Sequence, residues 1–252
     1  MSQLFTTILY QPLLNLLVFF YTVVPGHDIG VAIVLLTMVI KLLLYPLSRQ
    51  SIRGQKSLQQ LQPKMNELKE RYKNDREAQA KAMMALYKAE KVNPLSSCLP
   101  LLIQLPILLA VFQVFQSGLH NGSLDLLYPF VADPGSLNPV SFGLVNLAQP
   151  NLVLALLAGA AQYWQAQMLS TARPPKKMPG AKDEDMMTMM NRQMLYVMPV
   201  MTVFIGMTLP GGLALYWFII TLLTALQQQV MFRKDGPPAP KTTPAAPATN
   251  AS

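Results

Sequence analysis

The sequence predicts an all-α polytopic membrane protein, with five transmembrane helices, an N-terminal interfacial helix and a cytoplasmic helical hairpin. Three observations carry that prediction. Hydrophobic residues make up 52% of the 252 and charged ones only 13%, about half the roughly 25% charge of an average soluble domain. Mean hydropathy is +0.30 over the whole molecule, more apolar surface than a water-soluble chain of this size hides. Nineteen of the twenty Lys and Arg lie between or after the apolar runs, and only Lys41 lies inside one.

Residues 1–26 come first. Leu4 to Val24 is apolar, but it contains Gln11-Pro12 and Asn15 and ends at Pro25-Gly26. As a sixth span it would leave Met1 in the cytoplasm with no basic residue to hold it there. The expectation is an amphipathic helix in the outer membrane interface. The competing reading is an uncleaved signal-like span. A basic n-region and a small-residue cleavage site are both missing, so no cleavage is expected, and no lipobox cysteine is seen, the one cysteine being Cys98.

The core, 27–232, holds the spans. A membrane helix needs about 20 mostly apolar residues, and five stretches qualify: about 29–47, 97–116, 151–170, 195–209 and 211–231. Eleven basic residues fall between the first and second, five between the third and fourth, and three in the tail. The connection from Ser117 to Pro150 has none, only Asp125 and Asp133. The positive-inside rule then places the N-terminus outside and the C-terminus in the cytoplasm.

The polar segments follow from pattern. Within 48–94, Leu58, Leu61, Met65, Leu68 and Tyr72 recur at spacings of three and four, a narrow helical stripe. Asn74-Asp75 supplies a turn, and Ala80, Met84 and Tyr87 line one face of a second helix, which makes an antiparallel hairpin. Pro63 should bend the first helix or mark its restart. The hairpin is either a solvated element packed on itself or a mobile docking element whose basic faces lie near anionic lipid. The second cytoplasmic loop, 171–194, carries Asp183-Glu184-Asp185 and then a run of methionines, which either fill a helix core or offer an adaptable binding surface. The tail, 233–252, is rich in Pro, Ala and Thr and should be disordered.

Catalytic machinery is not in view. One cysteine forbids a Cys-rich metal site. His27 and His120 stand 93 residues apart with no carboxylate cluster near either. Nucleotide-binding and hydrolase signatures are missing, so no catalytic residue, metal or cofactor is expected. Polar groups do recur in the spans: Gln104, Gln113, Gln162, Gln165, Thr202, Thr221 and Thr224. Lys41 is the costly one, at about 2.5–3.5 kcal/mol for a lysine at a helix centre on insertion scales. It lies seven residues from Ser48, so about 10 Å from the inner boundary. Either it snorkels to the headgroups, or it faces a water-filled cavity open to the inside. No predicted span contains an acidic partner for it.

The segment Met83-Met84-Ala85-Leu86-Tyr87-Lys88-Ala89-Glu90-Lys91-Val92-Asn93-Pro94-Leu95, continuing as Cys98-Leu99-Pro100-Leu101-Leu102-Ile103-Gln104-Leu105-Pro106-Ile107, resembles the YidC/Oxa1/Alb3 family of membrane protein insertases, bacterial type. Further markers are Gln11-Pro12-Leu13, Tyr45-Pro46-Leu47, Leu61-Gln62-Pro63-Lys64, Met198-Pro199 and Pro210-Gly211-Gly212-Leu213-Ala214-Leu215-Tyr216-Trp217. The resemblance runs from Leu9 to about Phe232. It implies a five-helix core around a hydrophilic groove, open to the cytoplasm and the lipid and closed toward the outside. Lys41 stands where the family usually has arginine. Thr37, Gln165 and Trp217 match groove positions, and Gln104 and Tyr216 are further candidates.

Three departures limit what carries over. Lysine cannot reproduce arginine's bidentate contacts. The extra N-terminal span and large extracytoplasmic domain of many Gram-negative members have no counterpart here, so functions of that domain are not expected. The weakly charged tail argues against strong ribosome binding through it.

The resemblance implies an insertase and chaperone of the bacterial inner membrane. It would move short polar segments of nascent membrane proteins into the lipid bilayer without nucleotide hydrolysis. The Sec translocon, the signal recognition particle receptor and the ribosome are the further expected partners, with no direct nucleic-acid binding. The alternatives are a small-solute or anion transporter using Lys41, or a purely structural assembly chaperone. The transporter is disfavoured by the missing intramembrane carboxylates and repeat symmetry.

Overall fold

In the computed structural model the described residues are 3–73, 75–93, 99–121, 124, 126–169 and 193–234. Helix α1 (Gln3–Val23) opens the chain, with a π-helical turn at Thr6–Tyr10. Helix α2 (Ile29–Leu43) follows, then α3 (Tyr45–Arg71) and α4 (Arg76–Ala89). Helix α5 (Leu99–Phe115) continues as a π-helical turn over Gln116–Asn121. After two short strands come α6 (Leu152–Leu169), α7 (Met198–Gly206) behind a π-helical turn at Gln193–Val197, and α8 (Gly211–Lys234).

By length and hydropathy alone, Gln3–Val23 and Gly211–Arg233 are the described helices that could each cross a membrane. The α2–α3 pair, bent by 68°, could make a third, while Leu102–Gly118 and Gln193–Gly206 are shorter apolar helices. The first segment, expected in the interface, is therefore long and apolar enough to span. Its polar stripe is not turned to water. Asn15 is buried; its Nδ2 donates to the Leu126 carbonyl at 3.0 Å and its Oδ1 accepts from the Tyr128 N–H at 2.6 Å. Gln11 Nε2 also donates to the Leu126 carbonyl, and Tyr21 Oη accepts from the Asn138 N–H.

The core is where α1, α2, α5 and α8 meet. Leu14, Leu17 and Val18 of α1 bury against Ile29, Ile33, Leu36 and Ile40 of α2, with Val111, Val114 and Phe115 of α5 and Leu213, Tyr216 and Ile220 of α8. Four of these, Ile29, Ile33, Leu36 and Ile40, are spaced four, three and four, so they form one helical face. Helices α6 and α7 pack by a different means, small residues. A Cβ on Gly159 would lie 2.4 Å from Val203 Cγ2, and one on Gly206 would lie 2.9 Å from Ala155 Cβ. Bare glycine lets the two helices approach this closely, the usual basis of helix packing in lipid.

Helix α3 differs from the expectation at Pro63. The helix runs through that proline without restarting, and the chain breaks instead at Leu44, just before Pro46. Pro46, in the first turn of α3, has no N–H to give the Leu42 carbonyl, so α2 cannot continue through it and a new helix starts instead. In α4, Asp75 caps the first turn by accepting from the Glu77 and Ala78 N–H groups. Tyr87 reaches Met65 Sδ at 3.8 Å, and Lys64 pairs with Glu90. Of the face Ala80, Met84, Tyr87, only Tyr87 turns to α3; Ala80 and Met84 are exposed.

Between α5 and α6 the sequence suggested only a loop, and it holds a small hairpin. Strand β1 (Val140–Ser141) pairs antiparallel with β2 (Val145–Asn146). Asp28 ties this hairpin to α2. Its carboxylate caps α2 by accepting from the Val31 N–H and also accepts from Ser141 Oγ, at 2.7 Å, and from the Phe142 N–H. Partial burial would raise the Asp28 pKa, but the Phe142, Ser141, Val31 and Gly30 donors outweigh it and hold it below the ordinary 3.8. Asn74, Cys98, most of the Met-rich loop and the tail from 235 lie outside the described residues.

Candidate functional site

The break at Leu44 builds the site. Helix α2 ends on an apolar face interrupted by Lys41, and the 68° bend brings the first turns of α3 under it. Ser48, seven residues on, thereby comes within 3.2 Å of Lys41 Nζ. On the other side α8 presents Thr224, whose Oγ1 accepts from Lys41 Nζ at 2.7 Å. Lys41, Leu44, Ser48 and Thr224 line an open cleft with a cavity of about 90 Å³, room for several waters. Ile103 and Gln104 of α5, Gln165 of α6, and Leu47, Ile52 and Gln55 of α3 complete its walls with Ile220 and Gln228 of α8.

Both hydroxyls that meet the ammonium also donate elsewhere. Thr224 Oγ1 donates to the Ile220 carbonyl at 2.6 Å. Ser48 Oγ donates to Gln227 Oε1 at 2.9 Å. Gln228, buried one turn beyond Thr224, donates through Nε2 to Gln55 Oε1 at 3.2 Å. Its Oε1 and the Gln227 Nε2 have no hydrogen-bond partner among the described residues. The positive charge is met by neutral oxygens, and an ammonium carries three N–H donors. Such a cleft can hold water and polar groups inside an apolar helix cluster. It offers neither a nucleophile–base pair nor, among the described residues, a His, Cys, Asp and Glu group suited to a metal.

Of the residues singled out from sequence, Lys41, Gln104, Gln165 and Thr224 meet in the cleft. Tyr216 is fully buried behind its wall, its hydroxyl receiving Gln104 Nε2 at 2.7 Å. Thr37 lies one turn from Lys41 on the same helix but is fully buried, its hydroxyl bonded to the Ile33 carbonyl. Trp217 is half-buried and does not line the cleft. Gln162 belongs to another contact, accepting from the Thr202 hydroxyl between α6 and α7. Sequence reasoning missed Ser48, Gln55, Gln227 and Gln228. The run Gln227-Gln228-Gln229 at the end of an apolar segment was the available signal.

A family model described as 60Kd inner membrane protein matches residues 19–237. Among curated relatives, the membrane protein insertase YidC of Geobacter metallireducens is 34% identical over 222 residues, which are 87% of this chain and 36% of the relative. That of Pelobacter propionicus is 35% identical over 224 residues, covering 88% and 38%. The chain thus spans little more than a third of the length of these two. The insertase YidC of Fusobacterium nucleatum is 33% identical over 207 residues, 82% of this chain and 87% of the relative. A solved structure, "Active YidC insertase crystal structure with the first transmembrane domain resolved", shares the fold at a TM-score of 0.56 and 24% identity, over 92% of this chain and 47% of that one.

Proposed function

This chain belongs to the 60Kd inner membrane protein family, the YidC/Oxa1 family, and we propose that it is a membrane protein insertase whose working site is the cleft at Lys41. A polar segment of a nascent membrane protein enters the cleft from the cytoplasm, exchanges part of its hydration for the ammonium, hydroxyls and amides there, and leaves sideways into lipid. Nothing in this cycle needs nucleotide or a covalent step. The observation that carries the reading is the Lys41 ammonium held by Thr224 and Ser48. A charge solvated by neutral groups inside apolar helices is costly to keep and marks a polar pathway.

The topology proposed with it has five spans, with α2, α5, α6, α7 and α8 crossing. The segments 48–94 and 171–194 and the tail are cytoplasmic, and the 117–150 connection is outside. Helix α1 lies in the outer interface. Its contacts support this: Gln11, Asn15 and Tyr21 all meet the outer connection, and ten residues of helix extend about 15 Å. A helix touching one loop over that length runs along it. Nascent membrane proteins and lipid are the partners of this reading, and the Sec translocon, the signal recognition particle receptor and the ribosome are further ones.

Photo-crosslinkers at positions 41, 104 and 165, set against a stalled nascent membrane protein, test the proposal. Adducts from these positions and not from the lipid-facing Phe204 are expected. Crosslinking only from Phe204 would overturn it.

A further inference from the structure

The turn joining β1 to β2 breaks a local rule. Phe142 has φ of +51° and Gly143 φ of +68°, a pair of left-handed residues in which Asn or Gly is ordinary and a bulky side chain is not. Packing offers Phe142 little in return, since it is 76% exposed, and Leu144 beside it is 86% exposed. Two of the tip's three backbone N–H groups are nonetheless satisfied within the protein. The Phe142 N–H donates to Asp28, and the Leu144 N–H donates to the Ser141 carbonyl. Internal pairing of this kind lowers the cost of bringing a loop to the edge of an apolar medium.

Height decides what covers the tip. Asp28 caps the first turn of α2 through the Val31 N–H, and the same carboxylate holds the Phe142 N–H. The tip is therefore level with the end of a membrane helix, at the bilayer's outer boundary and not above it. The connection from Ser117 to Pro150 also carries no Lys or Arg that would draw it toward an acidic partner.

We propose that Phe142 and Leu144 anchor the hairpin in the outer leaflet, at the boundary between headgroups and acyl chains. Burial of the two side chains in lipid offsets the backbone cost of a left-handed phenylalanine, and Asp28 transmits the anchor to α2. The inference rests on the outer placement of the 117–150 connection proposed above.

The test uses the full chain with Cys98→Ser, carrying a single environment-sensitive fluorophore at Phe142→Cys, Leu144→Cys or Ser136→Cys. It is reconstituted in phosphatidylethanolamine and phosphatidylglycerol vesicles. At 142 and 144 the expected result is blue-shifted emission, quenching by doxyl-labelled lipid and loss of quenching by iodide, with the reverse at 136. Emission at 142 and 144 as water-exposed as at 136 would overturn the proposal. Protection that vanishes as protein is diluted into lipid would identify a second copy as the cover, and protection seen only in native membranes another protein; either overturns it. If membrane-impermeant reagent fails to reach 136 in intact cells and labels it only after the membrane is opened, the topology fails instead of the anchor.

Discussion

Lys41 Nζ and Thr224 Oγ1 lie 2.7 Å apart across a sequence separation of 183 residues, joining α2 near its C-terminus to α8. Thr224 keeps a second bond to the Ile220 carbonyl, and Ser48 one to Gln227. Removing the lysine therefore strands neither hydroxyl.

Stability and function should diverge at this position. Lys41→Met is expected to raise stability by about 1 to 3 kcal/mol, because a buried charge is replaced by an apolar chain and neither hydroxyl partner loses its only hydrogen bond. Insertion should fall with it. Lys41→Arg should retain insertion, and Lys41→Glu should fail most for substrates with acidic translocated segments, with Lys41→Ala intermediate. Thermal unfolding beside a reconstituted insertion assay reads both; wild-type insertion by the alanine and glutamate variants would remove the charge from the mechanism.

Helix packing at Gly159 gives a second test. A Cβ there meets Val203 Cγ2 at 2.4 Å, so Gly159→Val overpacks α6 against α7. A loss of about 1–3 kcal/mol is expected, with partial recovery in the Gly159→Val, Val203→Ala double variant. Thermal melts in detergent check it, and an unchanged double variant would mean the two helices part for another reason.

Acid should loosen the hairpin before the helices. The Asp28 pKa is held below 3.8, so its stabilising contribution is complete above that value and is lost as pH falls through the depressed one. Protection of the Phe142 amide, its exchange measured against the intrinsic rate at the same pH, should fall below about pH 4. Asp28→Asn should exchange faster at neutral pH and lose that dependence. A wild-type profile flat into strong acid would contradict the clamp.

Topology can be mapped with single cysteines. Positions 121 and 136 should label from outside, and 56, 180 and 245 only after the membrane is opened. Outside labelling at 180 would refute five spans.

What the sequence conveyed depended on the range of the interaction. Lys41, Gln104 and Gln165 were legible because a charge or amide in an apolar run is conspicuous whatever it touches. Thr37 shares a helix face with Lys41, yet its hydroxyl is satisfied by its own backbone and buried, which spacing cannot reveal. Pro63 looked like the break because proline usually interrupts a helix interior. The actual break at Leu44 follows from Pro46, which sits inside an apolar run where a span was expected to continue. The β-hairpin was invisible because its strands are two residues each, too short for alternation to register. Asn15 read as one of the polar residues of an interfacial helix, and only the fold shows its backbone partners at Leu126 and Tyr128.

The bend at Leu44 turns the lysine's two bonds into a mechanical linkage. Thr224 belongs to the helix cluster, but Ser48 belongs to α3, the arm that carries α4 away from it. Were α3 to turn about Leu44, Ser48 would leave and the ammonium would keep one hydroxyl. The charge would then call more strongly for another oxygen as the cleft widened. Such a turn would convert a movement of α3 into an electrostatic appetite at Lys41.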